Sequence, residues 1–75
     1  MSTDKIIVLG GSGFLGSHII QALKKRSFDE VTCGDLVYND SLHCEYVKLD
    51  MLEINDIINK LDNYNVIINC IGQIT

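Results

Sequence analysis

Gly10-Gly11-Ser12-Gly13-Phe14-Leu15-Gly16 is the stretch on which the reading of this chain turns. It holds G-x-G-x-x-G at Gly11, Gly13 and Gly16, and G-x-x-G-x-x-G at Gly10, Gly13 and Gly16. Glycine triplets also arise in plain βα turns, so the flanks matter. Before the loop, Lys5 to Leu9 (K-I-I-V-L) is a short β-branched run that reads as a buried parallel strand. After it, Gly13 to Arg26 reads as a helix. Leu15, Ile19, Ala22 and Leu23 recur on one face, and Lys24, Lys25 and Arg26 suit the negative end of the dipole. A glycine loop between strand and helix has a defined job. One glycine permits the turn, the next lets a pyrophosphate approach the backbone, and the third lets helix pack on strand. Free N–H groups at the helix start then receive the phosphates.

Working outward, Glu30 to Asp35 is a second short strand. Asp35 ends it, 19 residues beyond Gly16. A dinucleotide site places an acid there to accept hydrogen bonds from the adenosine ribose and to repel a 2′-phosphate. The competing reading is a solvent-exposed loop acid. Leu36 to Cys44 is polar and loop-like, and Glu45 to Leu49 is a third strand. Leu52 to Leu61 is a second helix with Ile54, Ile57, Ile58 and Leu61 on its inner face, and Val66 to Ile71 is a fourth strand. The order βαββαβ predicts an α/β fold, part of a doubly wound Rossmann sheet. All strands are parallel, in spatial order 3-2-1-4, with a crevice at their carboxyl ends.

Composition narrows the function classes. The chain has 75 residues, 47% of them hydrophobic, and no proline. It carries enough apolar surface to form a core. No apolar run approaches the ~18 residues of a membrane helix, and because Met-Ser-Thr-Asp-Lys leads straight into strand-like sequence, no signal peptide is expected. Three cysteines, Cys33, Cys44 and Cys70, form no C-x-x-C pair and have no metal-ligand spacing. They imply a reducing, cytoplasmic setting. Ten acids against six bases give a net charge of −4, with no basic stripe for a nucleic acid. A chain this short is marginally stable without disulfides or metal, and its last strand is apolar enough to expect cover on both faces. The expectation is the N-terminal piece, residues 1–75, of a dinucleotide-binding domain in a longer chain.

Taken together, these residues resemble the extended branch of the short-chain dehydrogenase/reductase superfamily, the NAD-dependent epimerase/dehydratase family. Gly10 to His18 (G-G-S-G-F-L-G-S-H) is similar to that family's G-G-x-G-F-[IL]-G-S-H. Asp50-Met51 resembles its Asp–hydrophobic pair, which contacts the adenine edge, and Val66 to Gly72 (V-I-I-N-C-I-G) resembles its fourth strand. The usual His-x-Ala-Ala or Ala-Gly is replaced by Asn69, Cys70, Ile71 and Gly72, with Ile71 bulkier than the usual alanine.

The resemblance implies NAD in preference to NADP. Gly10, Gly11, Ser12, Gly13, Phe14, Leu15 and Gly16 would lie around the pyrophosphate, Asp35 at the ribose, Asp50 and Met51 at the adenine, and Cys70, Ile71 and Gly72 along the inner adenosine wall. It implies an epimerase, dehydratase or reductase acting on a nucleotide sugar or similar small molecule; a homodimer is one assembly open to it, the oligomeric state being undetermined by the sequence, and charge and hydropathy point to no nucleic-acid or membrane partner. The family's Tyr-x-x-x-Lys is absent: Tyr38, Tyr46 and Tyr64 each lack a lysine four residues on. No catalytic residue is therefore expected within this chain. The alternative is a non-catalytic superfamily member that keeps the nucleotide as a sensor or structural element. A third, a free-standing binding module, would leave one sheet face uncovered.

Several residues tempt a stronger reading. His18 lies near the glycine loop but has no partner acid or cysteine at ligand spacing, so it reads as a surface or packing histidine. Cys70 has no base to activate it and reads as a small apolar residue. Ser12 either lends its hydroxyl to the phosphate or only tolerates the turn. Gln73 and Thr75 follow the fourth strand with no assignable role.

Overall fold

The computed structural model describes residues 4–50 and 52–71. Its elements are β1 (Lys5–Leu9), α1 (Phe14–Lys25), β2 (Glu30–Asp35), a 3-10 turn (Asp40–Leu42), β3 (Glu45–Lys48), α2 (Ile54–Leu61) and β4 (Val66–Asn69). The four strands form one parallel sheet in the order β3-β2-β1-β4, the order expected of a doubly wound dinucleotide-binding half. The chain runs from β1 to one side through α1 and returns to the other side at β4. The carboxyl ends of β1 and β4 therefore flank a topological switch point, where crossovers leave in opposite directions and open a crevice.

The pleat sorts the core. Ile6 and Val8 of β1, with Val31 and Cys33 of β2, face α1 and pack with Ile20 and Leu42. Ile7 and Leu9 face the opposite side and pack with Leu49, Ile57, Leu61 and Tyr64. This alternation is what period-2 side-chain geometry demands of a strand covered on both faces.

The first helix turns a different stripe inward from the one its hydrophobic period suggested. Gly16 and Ile20 are its buried residues, with Ile19 and Leu23 partly covered, whereas Leu15 is 43% exposed and Ala22 is exposed. Gly16 is the cause, because its lack of a side chain draws the helix axis over it. The second helix has no buried residue. Only Ile57 and Leu61 reach the core, while Ile54 and Ile58 are 68% and 62% exposed.

The polar stretch expected as plain loop contains the 3-10 turn. Asn39 caps it by accepting from the Ser41 N–H at 3.1 Å, and Leu42 is buried beneath α1. The fourth strand ends at Asn69 rather than Ile71, because the Asn69 side chain takes the Ile71 N–H at 2.9 Å and turns the chain. On its second face Ile67 and Ile71 stay exposed. No helix of the described residues is long and apolar enough to cross a membrane.

Candidate cofactor site at the glycine loop

The site is built from the loop between β1 and α1. Leu9 and Gly10 extend the sheet past the end of β1: the Gly10 N–H donates to the Gly34 carbonyl at 2.8 Å, and the Cys70 N–H donates to the Leu9 carbonyl at 2.8 Å. Gly10 then turns with φ +76°, a left-handed conformation in which a side chain is strained. A Cβ there would also come within 3.1 Å of the Cys70 carbonyl carbon and of Ile71 Cγ1. The end of β4 therefore closes over the first glycine. The Gly10 carbonyl accepts from the Gly13 N–H at 3.1 Å and closes the turn.

The other glycines answer to packing. A Cβ on Gly16 would overlap the Gly10 carbonyl oxygen and lie 2.8 Å from Gly11 Cα, so only glycine lets α1 rest on the loop. A Cβ on Gly11 would press on Cys33 Sγ and Ile20 Cδ1, both at 2.8 Å. At Gly13, the residue before the first helical turn, a Cβ would meet only the Gly10 carbonyl oxygen, at 3.3 Å. The space beyond Gly13 is open.

That opening lies at the start of α1. Gly13 supplies no side-chain cap and the first turn carries no acid. The N–H groups of Phe14, Leu15 and Gly16 have no acceptor among the described residues, and they form the positive end of the helix dipole. Free donors, a positive dipole end and a backbone without side chains form a cradle for phosphate oxygens. The residues fit a pyrophosphate.

Asp35 is brought beside this loop. Its Oδ2 accepts from the Ser12 N–H at 3.0 Å and its Oδ1 from the Leu36 N–H at 2.7 Å. A carboxylate has about four acceptor sites, so two donors leave capacity for ribose hydroxyls. Ser12 has a further contact that the sequence did not disclose. Its hydroxyl donates to the Val37 carbonyl at 2.6 Å, with Cys33 Sγ 3.4 Å away. Both Ser12 donors thus serve the end of β2, and the loop and the acid form one hydrogen-bonded unit.

Asp50 follows β3. Its Oδ1 accepts from the Leu52 N–H at 3.0 Å and its carbonyl from the Glu53 N–H at 2.9 Å, which turns the chain into α2. Its second carboxylate oxygen has no partner among the described residues. Met51 and Gly72, the remaining expected positions, lie outside the described residues, as do Gln73 and Thr75. Cys70 is half-buried and reduced, and burial pushes its thiol up from the ordinary range, the opposite of an activated nucleophile.

Phe14 projects from the helix start, 83% exposed, with its ring centroid 4.6 Å from that of His18. His18 Nδ1 lies 2.7 Å from the Phe14 carbonyl. A carbonyl only accepts, so Nδ1 carries the proton and does not act as a base. No group of His, Cys, Asp and Glu among the described residues could hold a metal ion. A hollow of about 500 Å³ is lined by Lys24, Phe28, Tyr38, Cys44 and neighbours at the opposite end of the sheet, away from the glycine loop.

Comparison with known proteins bears on the family and the fold. The sequence model of the NAD dependent epimerase/dehydratase family matches residues 6–75. An ADP-L-glycero-D-manno-heptose-6-epimerase from Brachyspira hyodysenteriae is 37% identical over 57 residues, which are 76% of this chain and 17% of that protein. Among solved structures, the apo form of a monomeric L-threonine 3-dehydrogenase of metagenomic origin superposes with a TM-score of 0.75 at 22% identity, over 93% of this chain and 24% of that one. The chain therefore spans about a sixth and a quarter of the lengths of these relatives.

Proposed function

The chain belongs to the NAD-dependent epimerase/dehydratase family, and from that premise we propose that its 75 residues are the N-terminal cofactor-binding part of a longer epimerase, dehydratase or reductase. The observation that carries the reading is the pairing of the uncapped α1 N-terminus with Asp35, joined through Ser12. Neither half of that pair is needed by a plain βα turn. The N–H groups of Phe14, Leu15 and Gly16 would hold the pyrophosphate, and the open acceptor sites of Asp35 would hold the adenosine ribose. Asp50, through its free oxygen, would meet the adenine edge, and Met51, Cys70, Ile71 and Gly72 would complete the wall. When bound, the nicotinamide would take up and return a hydride. These residues bind and orient; the acid–base residues belong to the remainder of the parent chain. A nucleotide sugar is the substrate class we assign, supported by the heptose epimerase relative. A reducing, cytoplasmic setting is supported by three unpaired cysteines.

The preference is for NAD over NADP. A 2′-phosphate would approach the Asp35 carboxylate, and no base follows it between Leu36 and Asn39. The test is a pair of titrations of the intact protein with NAD and NADP. Asp35→Ala should cost about 1–3 kcal/mol of NAD affinity, the range for a hydrogen bond to a charged group, and weaken NADP less or strengthen it. Tighter binding of NADP than NAD by the wild type, or an unchanged preference in the variant, would reduce Asp35 to a loop acid.

A further inference from the structure

Three consecutive backbone carbonyls at the end of β2 accept protons from side-chain hydroxyls. The Tyr46 hydroxyl lies 2.9 Å from the Asp35 carbonyl oxygen and 3.1 Å from that of Leu36, sharing its proton between them. The Ser12 hydroxyl takes the third, that of Val37, at 2.6 Å. The reason lies in the register. The pairing of β2 with β3 ends at Asp35 opposite Lys48, followed by one bond from the Leu49 N–H to the Asp35 carbonyl. Beyond that point Leu36 and Val37 have no strand partner, and backbone carbonyls that leave a sheet need other donors. The two hydroxyls take over where the ladder stops.

Tyr46 is itself held in place. It projects from β3 at the position opposite Cys33, and its ring packs on Tyr38 with centroids 4.9 Å apart. Tyr38 is anchored in turn, donating to the Cys44 carbonyl at 2.9 Å and accepting from the Cys44 N–H at 3.2 Å. Burial, with the nearby Asp35 charge second, pushes the Tyr46 phenol up, so its proton stays available to donate. The backbone it grips carries the carboxylate. Asp35 Oδ1 is bonded to the N–H of Leu36, the residue whose carbonyl Tyr46 holds.

We propose that Tyr46 is a positioning residue for cofactor choice: acting with Ser12, its hydroxyl holds Asp35 where it distinguishes a free ribose from a 2′-phosphorylated one. The proposal rests on the reading of Asp35 as the ribose acid. A residue on a neighbouring strand, without contact to the dinucleotide, would then set how sharply the site discriminates.

The test compares the intact wild-type protein with Tyr46→Phe, Tyr38→Phe and Ser12→Ala. Dissociation constants for NAD and NADP are measured by calorimetry, and amide hydrogen exchange of residues 35–37 is followed without ligand. Tyr46→Phe keeps the ring and its packing. It should lower the ratio of NAD to NADP affinity about threefold or more, the scale of one lost hydrogen bond, and speed exchange at 35–37. Ser12→Ala should move the ratio the same way from the other end, and it is the second arm if Tyr46→Phe does not fold. Tyr38→Phe removes a hydroxyl from the same cluster without touching the three carbonyls and should move the ratio clearly less than Tyr46→Phe does.

A wild-type ratio in Tyr46→Phe or in Ser12→Ala would overturn the proposal. So would an equal fall in Tyr38→Phe, which would mean general loosening, or unaltered exchange at 35–37. A wild type that binds NAD with Asp35→Ala unchanged would overturn the ribose-acid reading and this proposal with it, whereas a normal Asp35→Ala effect beside an inert Tyr46→Phe would overturn the proposal alone.

Discussion

The two helices of this chain are of similar apolar character and have different fates. Helix α1 lies against the sheet with Gly16 and Ile20 fully inside, and its N-terminus is aimed by the glycine loop. Helix α2 buries no residue and touches the core through Ile57 and Leu61 alone. One polar contact tethers its far end, the Lys60 ammonium donating to the Lys48 carbonyl at 2.9 Å, and Lys60 also pairs with Asp56 within the helix at 2.9 Å. An exposed pair of that kind contributes under about 1 kcal/mol. The difference teaches that close helix packing here comes from an absent side chain rather than from more apolar ones. Where the helix rests directly on the loop that precedes it, the chain places glycine at the contact. Where the helix only covers the sheet, it tolerates a looser fit.

The largest expected effect tests that contrast directly. Gly16→Ala inserts a methyl where the Gly10 carbonyl already stands, so α1 must lift or the loop must move. We expect a loss of about 3 kcal/mol or more, beyond the ordinary range for overpacking because the obstructing atoms are backbone. Urea denaturation of the intact protein provides the measurement. An exposed substitution on α2, Ile54→Ala, should change stability by less than about 0.5 kcal/mol. A tolerated Gly16→Ala would show that α1 is held less closely than its contacts imply.

Next in size is a matched pair in the two cores. Ile20 is fully buried among Val8, Cys33 and Leu42, so Ile20→Ala should cost about 2–5 kcal/mol through lost contacts and a residual cavity. Ile57→Ala, at a half-covered site on α2, should cost about 1 kcal/mol. Equal losses would mean that the two faces are equally well packed.

This same contrast explains what was legible beforehand. β1 and β2 run between the residues expected, because glycine and charge punctuate them, and the order 3-2-1-4 is the one expected of a doubly wound dinucleotide-binding half. The helix faces were misread for a physical reason. Both helices carry adjacent apolar stripes, and periodicity cannot say which stripe meets the sheet when a glycine or an uncovered face decides it. Leu15 and Ala22 fit the apolar period, yet Gly16 and Ile20 occupy the interface. The 3-10 turn was hidden in a polar run, although Asn39-Asp40-Ser41 carried a capping signal. At the site, the glycine loop and its closeness to Asp35 could be read from spacing together with the flanking strand and helix. Tyr46 could not, because its role exists only once the β2–β3 register sets it opposite Cys33.

A smaller, stabilising effect is expected at the other end of α1. Ser27 sits at φ +68° just past the helix. Its N–H bonds the Lys24 carbonyl at 3.1 Å, and the Phe28 N–H bonds that of Leu23 at 3.2 Å. This is the hydrogen-bond pattern of a Schellman cap, whose left-handed position glycine fills without steric cost. Ser27→Gly should raise stability by about 0.5–1 kcal/mol, the relief of strain exceeding the extra freedom glycine gains in the unfolded chain. Helix α2 ends in ordinary helical backbone at Asp62, with φ −61°, so Asp62→Gly should not stabilise. A thermal melt of the two variants checks the asymmetry.

The smallest effect separates the halves by proton rather than by packing. Cys33 lies fully buried under the glycine loop, and burial pushes its thiol above the ordinary 9.0, outweighing the opposing hydrogen bond with Ser12. Cys70, at the end of β4, is pushed the same way by burial but remains half-covered. A group whose folded pKa exceeds its unfolded one binds more protons in the native state between the two values. Its contribution to stability is complete below the unfolded pKa and is lost as pH rises through the folded one. Stability should therefore hold from neutral pH to about 9 and decline above it. Cys33→Ala should flatten that decline more than Cys70→Ala, because the thiolate of Cys33 would have no water to solvate it. Urea midpoints at intervals between neutral and alkaline pH give the slopes. In the same samples, iodoacetamide should label Cys70 well before Cys33, since only a thiolate that solvent can reach reacts. Equal slopes with equal labelling would mean that the glycine loop opens as readily as the end of β4, and the contrast between a tightly seated first half and a loosely covered second half would fail at its centre.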